Sequence, residues 1–259
     1  MRVVELCAAC FHRRNPLPAA PHPALPPHSR GDIRAQLEWK GDARWHIGLN
    51  FERTWELPPR KRGGKASCLS AVFTDTTPLI GYYRTPEQRE KHPTLAANAA
   101  GADRAGTVAW TEAAVAGAAA ECDATFVFGH HPLFSPGEHS NSKELIAAYG
   151  NLLEREGVDT YVAGHDHILA HSRAPGGSVE HVLTGAGSEV RPTLVPGEET
   201  QWVATRRGFT VHSVNATHQA ISYVWADKEA GEEREGLPGK VAFHVVKPLR
   251  KKPARGAKP

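Results

Sequence analysis

The chain has 259 residues, 40% hydrophobic and 23% charged, enough to bury the core of one α/β domain. Its 31 basic and 28 acidic residues leave a net charge of +3, which nominates neither nucleic acid nor a membrane surface as partner. No run approaches the roughly 18 apolar residues of a membrane-spanning helix, and residues 1–11, interrupted by Glu5 and followed by His12-Arg13-Arg14, make a poor secretory signal.

Residues 1–30 carry Pro16, Pro18, Pro21, Pro23, Pro26 and Pro27 without sustained apolar periodicity, which predicts a disordered or extended leader. A domain follows over 31–248, and a basic tail over 249–259 that reads as a solvated terminus or a contact for an anionic partner. Cys7 and Cys10 form a lone C-x-x-C, short of the second pair a zinc ribbon needs, while Cys68 and Cys122 fall apart in strand and helix regions. Residues 83–107, charged and then rich in alanine and glycine, read as a surface excursion with a short helix.

The centre of the chain is more specific. Thr125-Phe126-Val127-Phe128 and Thr160-Tyr161-Val162-Ala163 are short β-branched or aromatic runs bounded by glycine, as buried strands are. Between them, over 141–157, Leu145, Tyr149 and Leu152 recur at helical spacing, with Ile146 and Leu153 widening the stripe. Strand, helix, strand with this connection predicts a parallel pair, because a crossover returns the chain to the same starting edge. Each strand runs into a histidine turn, Gly129-His130-His131-Pro132 and Gly164-His165-Asp166-His167. Both turns then leave the sheet at its carboxyl edge, where open α/β sheets hold ligands, so His130, His165 and His167 are expected to converge as metal ligands. Most of the 15 histidines, among them His12, His22, His46, His92 and His244, read as ordinary surface or half-buried residues. Further on, residues 208–214, 218–225 and 240–246 alternate apolar and polar side chains, as antiparallel strands of a second sheet do, and 226–239 is a charged loop.

The block from Phe128 to His139, FGHHPLFSPGEH, resembles the G-H-x-P…E-H segment of the calcineurin-like metallophosphoesterases, and most closely that of the short, tartrate-resistant type of purple acid phosphatase. Gly164-His165-Asp166-His167 matches the later G-H-D-H, and His181-Val182-Leu183-Thr184-Gly185-Ala186-Gly187 the following strand and G-A-G turn. Upstream, Phe73-Thr74-Asp75-Thr76 resembles a strand ending in D-T, and Trp110-Thr111-Glu112 a helical W-L-E. The resemblance implies a four-layer αββα sandwich, here only its carboxyl-terminal portion, and hydrolysis of a phosphoric monoester by hydroxide attack at a dinuclear metal site. It makes His130 and His165 ligands of a divalent ion, zinc, manganese or iron, and His167 a ligand of a ferric partner ion. Glu138 and His139 match the pair beside the leaving group, where a protonated side chain assists departure, though an acidic and a basic neighbour in a loop are also ordinary surface chemistry. Asp166 reads as a hydrogen-bond acceptor behind the ligands or as a turn residue. His131 stands where the family commonly has tyrosine.

The family's amino-terminal G-D-x-x-Y and G-N-H-D motifs are not in this chain. Where the second should stand the chain reads Leu25-Pro26-Pro27-His28-Ser29-Arg30, and the change at Arg30 suggests amino-terminal truncation. Lost strands would leave an open sheet edge and an uncovered apolar face. Three imidazoles without a bridging carboxylate favour one divalent ion over a pair. The alternative to a hydrolase is therefore a noncatalytic remnant that binds one metal ion, phosphate or a protein partner. One Asn-x-Thr sequence stands at Asn215-Ala216-Thr217. The sequence assigns no location and no oligomeric state.

Overall fold

The computed structural model describes residues 4–7, 48–59, 67–91, 103–226 and 239–250. Most of the predicted leader, the middle of the 226–239 loop and the tail from 251 lie outside the described residues. Within the stretch expected as coil, Val4–Cys7 forms strand β1, paired antiparallel with a strand of the second sheet. These residues precede every proline of the leader, so each keeps the N–H that a ladder needs.

Seven strands form the larger sheet: β2 (Phe51–Leu57), β3 (Ser67–Phe73), β4 (Ala124–Phe128), β5 (Thr160–Ala163), β6 (Leu169–Ser172), β7 (Glu180–Thr184) and β8 (Thr200–Ala204), in the order β2-β3-β4-β5-β7-β6-β8. The central four, β3, β4, β5 and β7, are parallel; β2, β6 and β8 run antiparallel to their neighbours. The smaller sheet orders β1, β9 (Gly208–Val214), β10 (His218–Trp225) and β11 (Val241–Pro248) as β1-β9-β10-β11, antiparallel throughout. The strands read at 125–128 and 160–163 are thus neighbours in parallel register, Phe126 opposite Thr160.

Each central strand is buried on both faces, and the alternation of its side chains divides the core in two. Val127, Tyr161 and Leu183 face a cluster shared with the helices. Phe126, Val162 and Val182 face the smaller sheet and meet Val214, Ile221 and Tyr223. The described layers are therefore helices, large sheet and small sheet, three of the four in an αββα sandwich. On β11, at the edge of the small sheet, Val241 and Val246 are exposed. No helix among the described residues is long and apolar enough to cross a membrane.

The helical layer starts with α1 (Pro86–Lys91), inside the stretch read as a surface excursion, and α2 (Arg104–Glu121). Alanine and threonine at 107, 111, 114, 118 and 119 form a narrow inward stripe on α2, which lets it sit close on the sheet. The helix expected over 141–157 is present with an interruption: α3 (Lys143–Leu145), a π-helical turn (Ile146–Gly150) and α4 (Asn151–Arg155) follow without a break. Ser142 caps its start, accepting from Leu145 N, and Gly157 at φ 69° ends it, with Val158 N bonded to Leu153 O. The wider turn falls at Tyr149, whose buried hydroxyl lies 3.2 Å from both Thr74 Oγ1 and Thr111 Oγ1.

Cys68 and Cys122 do not stand apart: they form a disulfide that joins the start of β3 to the end of α2. Strand and helix assignments were compatible with this pairing, but 54 residues separate the two cysteines and only the packing of α2 on the sheet brings them together.

Candidate metal centre

The two histidine turns are tied to each other through backbone. Gly129 N donates to Val162 O, and the His130 carbonyl accepts from both Gly164 N and His165 N, at 3.1 and 3.0 Å. The His131 carbonyl accepts from the buried hydroxyl of Tyr161 at 2.7 Å. Glycine is required at 129 because a Cβ there would overlap that hydroxyl and approach Thr76 Cγ2 to 2.7 Å.

This brings His130 Nε2 to 3.1 Å from His165 Nδ1. His131 lies beside them, buried, with Nδ1 at 2.8 Å from Thr76 Oγ1 and Nε2 at 2.8 Å from Tyr83 Oη. Burial, then the neighbouring His130, His165 and His139, push its pKa down to about 2, so it is neutral, and its one donor and one acceptor nitrogen are both occupied. His165 is shifted down as well, first by burial and then by His139.

His139 completes the imidazole cluster, its ring centroid 4.4 Å from that of His165. Its Nδ1 bonds to Asp166 Oδ1, and Ser135 Oγ donates to Asp166 Oδ2. Asp166 is the hydrogen-bond acceptor read as one of its two roles, and it is almost fully buried. Glu138 turns to Arg191 Nη1, with His139 Nδ1 3.9 Å from its Oε1. The D-T motif after β3 is spent locally, since Asp75 Oδ1 accepts from Thr77 N at 2.9 Å while Asp75 N donates to Asn50 Oδ1 at 2.8 Å.

His167 does not join this cluster. Ile168 N bonds back to Asp166 O at 2.8 Å, a tight turn through His167, and His167 is close enough to contribute to the lowered pKa of His165. His167 Nδ1 is buried without a hydrogen bond, 3.4 Å from Glu189 Oε2. Two groups among the described residues bring three donor atoms within 4.8 Å of one another: His130, His131 and His165, and His139, His165 and Asp166. Two nitrogens bound to one zinc-sized ion at about 2.0–2.1 Å stand roughly 2.9–3.4 Å apart at octahedral or tetrahedral angles. The 3.1 Å between His130 and His165 fits that separation. Both groups share His165, so among the described residues they offer ligands for one ion around that imidazole. Of Thr76, Tyr83, Ser135 and Arg191, which hold His131, Asp166 and Glu138, Tyr83 and Arg191 lie outside every motif read in the sequence. An open hollow adjoins His130, floored by Phe73, Phe128 and Val162.

No family model matches the chain. Over 206 residues it is 27% identical to purple acid phosphatase 17 of Arabidopsis thaliana, covering 76% of this chain and 56% of that protein. To tartrate-resistant acid phosphatase type 5 it is 27% identical over 234 residues in Rattus norvegicus, covering 86% and 64%. To the Homo sapiens protein of that name it is 40% identical over 170 residues, covering 63% and 47%. The chain is a relative of the purple acid phosphatases. It spans about half the length of the curated acid phosphatases it matches. Among solved structures it superimposes on GAP50, described as the anchor in the inner membrane complex of Plasmodium, with a TM-score of 0.67 at 19% identity, over 87% of this chain and 64% of that one. That likeness is one of fold, and it extends over nearly the whole chain. The order of histidine turns on β4 and β5 is thus that of a purple acid phosphatase relative, built on the carboxyl-terminal portion of the sandwich.

Proposed function

We propose that this chain is a metal-dependent phosphoric-monoester hydrolase of the purple acid phosphatase type, working with one divalent cation in place of two. The observation that carries the reading is the approach of His130 Nε2 and His165 Nδ1 at the carboxyl edge of β4 and β5. These two imidazoles would hold the ion. When bound, a divalent cation neutralises charge on the phosphate oxygens and makes water a better nucleophile near neutral pH. The chain's own part is positioning. His139, oriented by Asp166, stands beside His165 to hand a proton to the departing alcohol oxygen. The hollow beside His130 receives the alcohol portion of the ester. Arg191 holds Glu138 at the rim of the site, which fixes the loop that carries His139.

Protein loaded with zinc, manganese or iron(II) is expected to bind one ion per chain and to hydrolyse an aryl phosphate. His165→Ala removes both the ion and the turnover, whereas His167→Ala leaves the ion count at one. Two ions per chain in the wild type, one of them lost in His167→Ala, would refute the single-cation assignment. A second reading draws on Glu138 being engaged by Arg191 and both His131 nitrogens being engaged by Thr76 and Tyr83: a module that binds a cation without hydrolysis. One bound ion with no turnover on any of the three metals would establish it over the first.

A further inference from the structure

We propose that Asn215 is a site of N-linked glycosylation. The hairpin between β9 and β10 turns through Asn215-Ala216-Thr217, the one Asn-x-Ser/Thr sequence in the chain, and the middle residue is not proline. Asn215 N donates to His218 O at 3.0 Å and closes the turn. Its side-chain Oδ1 accepts from Thr217 N at 2.9 Å, Thr217 Oγ1 at 3.0 Å and His218 N at 2.9 Å. All three bonds end on the oxygen, so the opposite side of the carboxamide, Nδ2, is the side turned from the hairpin backbone. Thr217 and His218 are exposed and Asn215 is half-buried, while Ala216 tucks under the turn.

A second observation points to the compartment. The Cys68–Cys122 disulfide forms where thiols are oxidised. In a eukaryotic cell the lumen that oxidises them is also where oligosaccharide is transferred to Asn-x-Thr. In that transfer Nδ2 forms a bond to the anomeric carbon of a lipid-pyrophosphate-linked oligosaccharide. The bond from that carbon to the pyrophosphate oxygen breaks, the amide gives up one proton to a base, and the lipid pyrophosphate leaves.

The position leaves room for the product. Next to the hairpin, Gln219 bonds to Thr160 Oγ1 and Asp159 O, at the amino end of β5. The other end of β9 meets the turn after β7, where Gly208 N bonds to Ala186 O. The hairpin therefore sits at the edge opposite the histidine turns, and a glycan there stands clear of His130 and His165.

The test expresses the full chain behind a cleavable secretion leader in a eukaryotic host and recovers it from lumen and medium alike. The expected intact mass exceeds that of the polypeptide by one oligosaccharide. Peptide N-glycosidase should remove it and leave aspartate at 215. Asn215→Gln and Thr217→Ala should abolish the increment, and Thr217→Ser, which keeps the hydroxyl, should retain it. Unmodified Asn215 in lumenal protein whose disulfide has formed would overturn the proposal, as would a glycan that persists in Asn215→Gln.

Discussion

His139 hangs on Asp166: one carboxylate oxygen holds its Nδ1, and Ser135 occupies the other. Asp166 therefore lies between His165 and His167 in sequence but serves a histidine 27 residues away. Its backbone carbonyl is used too, because a Cβ on Gly185 would overlap it, so the G-A-G turn after β7 presses on the back of the G-H-D-H turn. The position of His139 thus rests on the turns after β5 and β7 and on the loop after β4.

In the phosphatase reading, Asp166→Asn is expected to lower kcat on an aryl phosphate by about 10- to 100-fold, the usual cost of losing a group that orients a site histidine. KM should change by no more than about threefold, since the imidazoles that would hold the ion are untouched. Steady-state kinetics beside the ion count decide it: loss of the bound ion with kcat would show that Asp166 holds the centre together instead of orienting His139.

The disulfide closes a loop of 54 residues between β3 and α2. Restricting an unfolded loop of that size stabilises the fold by about 4 kcal/mol in the chain-entropy model, with measured values commonly about 2–4 kcal/mol. Cys68→Ser with Cys122→Ser should lower the unfolding free energy by that amount in urea, and reductant should lower the wild type equally while leaving the double variant unchanged. A wild type indifferent to reductant would rule out the bond as a source of stability.

What was legible in the sequence was the local part. Glycine-bounded apolar runs gave β4 and β5, and the helical stripe through Leu145, Tyr149 and Leu152 gave the crossover that makes them parallel. Alternation gave β9 and β10 with their bounds. The convergence of His130 and His165 followed from the parallel pair alone. His167 stands outside the groups of three donors that meet around His165, and the turn that carries it is closed by a hydrogen bond from Ile168 to Asp166 that no periodicity encodes. The partners of His131 lie 55 and 48 residues away, and the disulfide spans a similar distance. Such contacts are set when sheet and helices pack, and a single sequence carries no mark of them.

Two histidines outside the site should make the fold sensitive to acid. His212 on β9 packs against Phe126 between the sheets and His181 on β7 packs edge-on to Phe134. Burial first, and His171 second, push their pKa values down to about 4 and about 3. Above about pH 6.5, the ordinary histidine value, both are neutral folded and unfolded and neither affects stability. Below it the unfolded chain takes up a proton at each, while the fold refuses one until the depressed value is reached. Stability therefore falls as pH falls, by about 1.4 kcal/mol per pH unit for each histidine over that window. His212→Phe keeps an aromatic ring against Phe126 and removes one titrating group. It also takes a partner from Thr210 Oγ1, which His212 Nε2 meets at 3.2 Å, at a cost of about 1–3 kcal/mol. Phe also removes the buried His212 Nδ1, which has no hydrogen-bond partner, and this offsets that cost, so the slope is the readout: urea unfolding from about pH 8 to about pH 4.5 should show a variant that loses stability less steeply toward the acid end. An unchanged slope would mean that His212 protonates as readily in the folded core as in the open chain, and that its burial between the sheets does not resist charge.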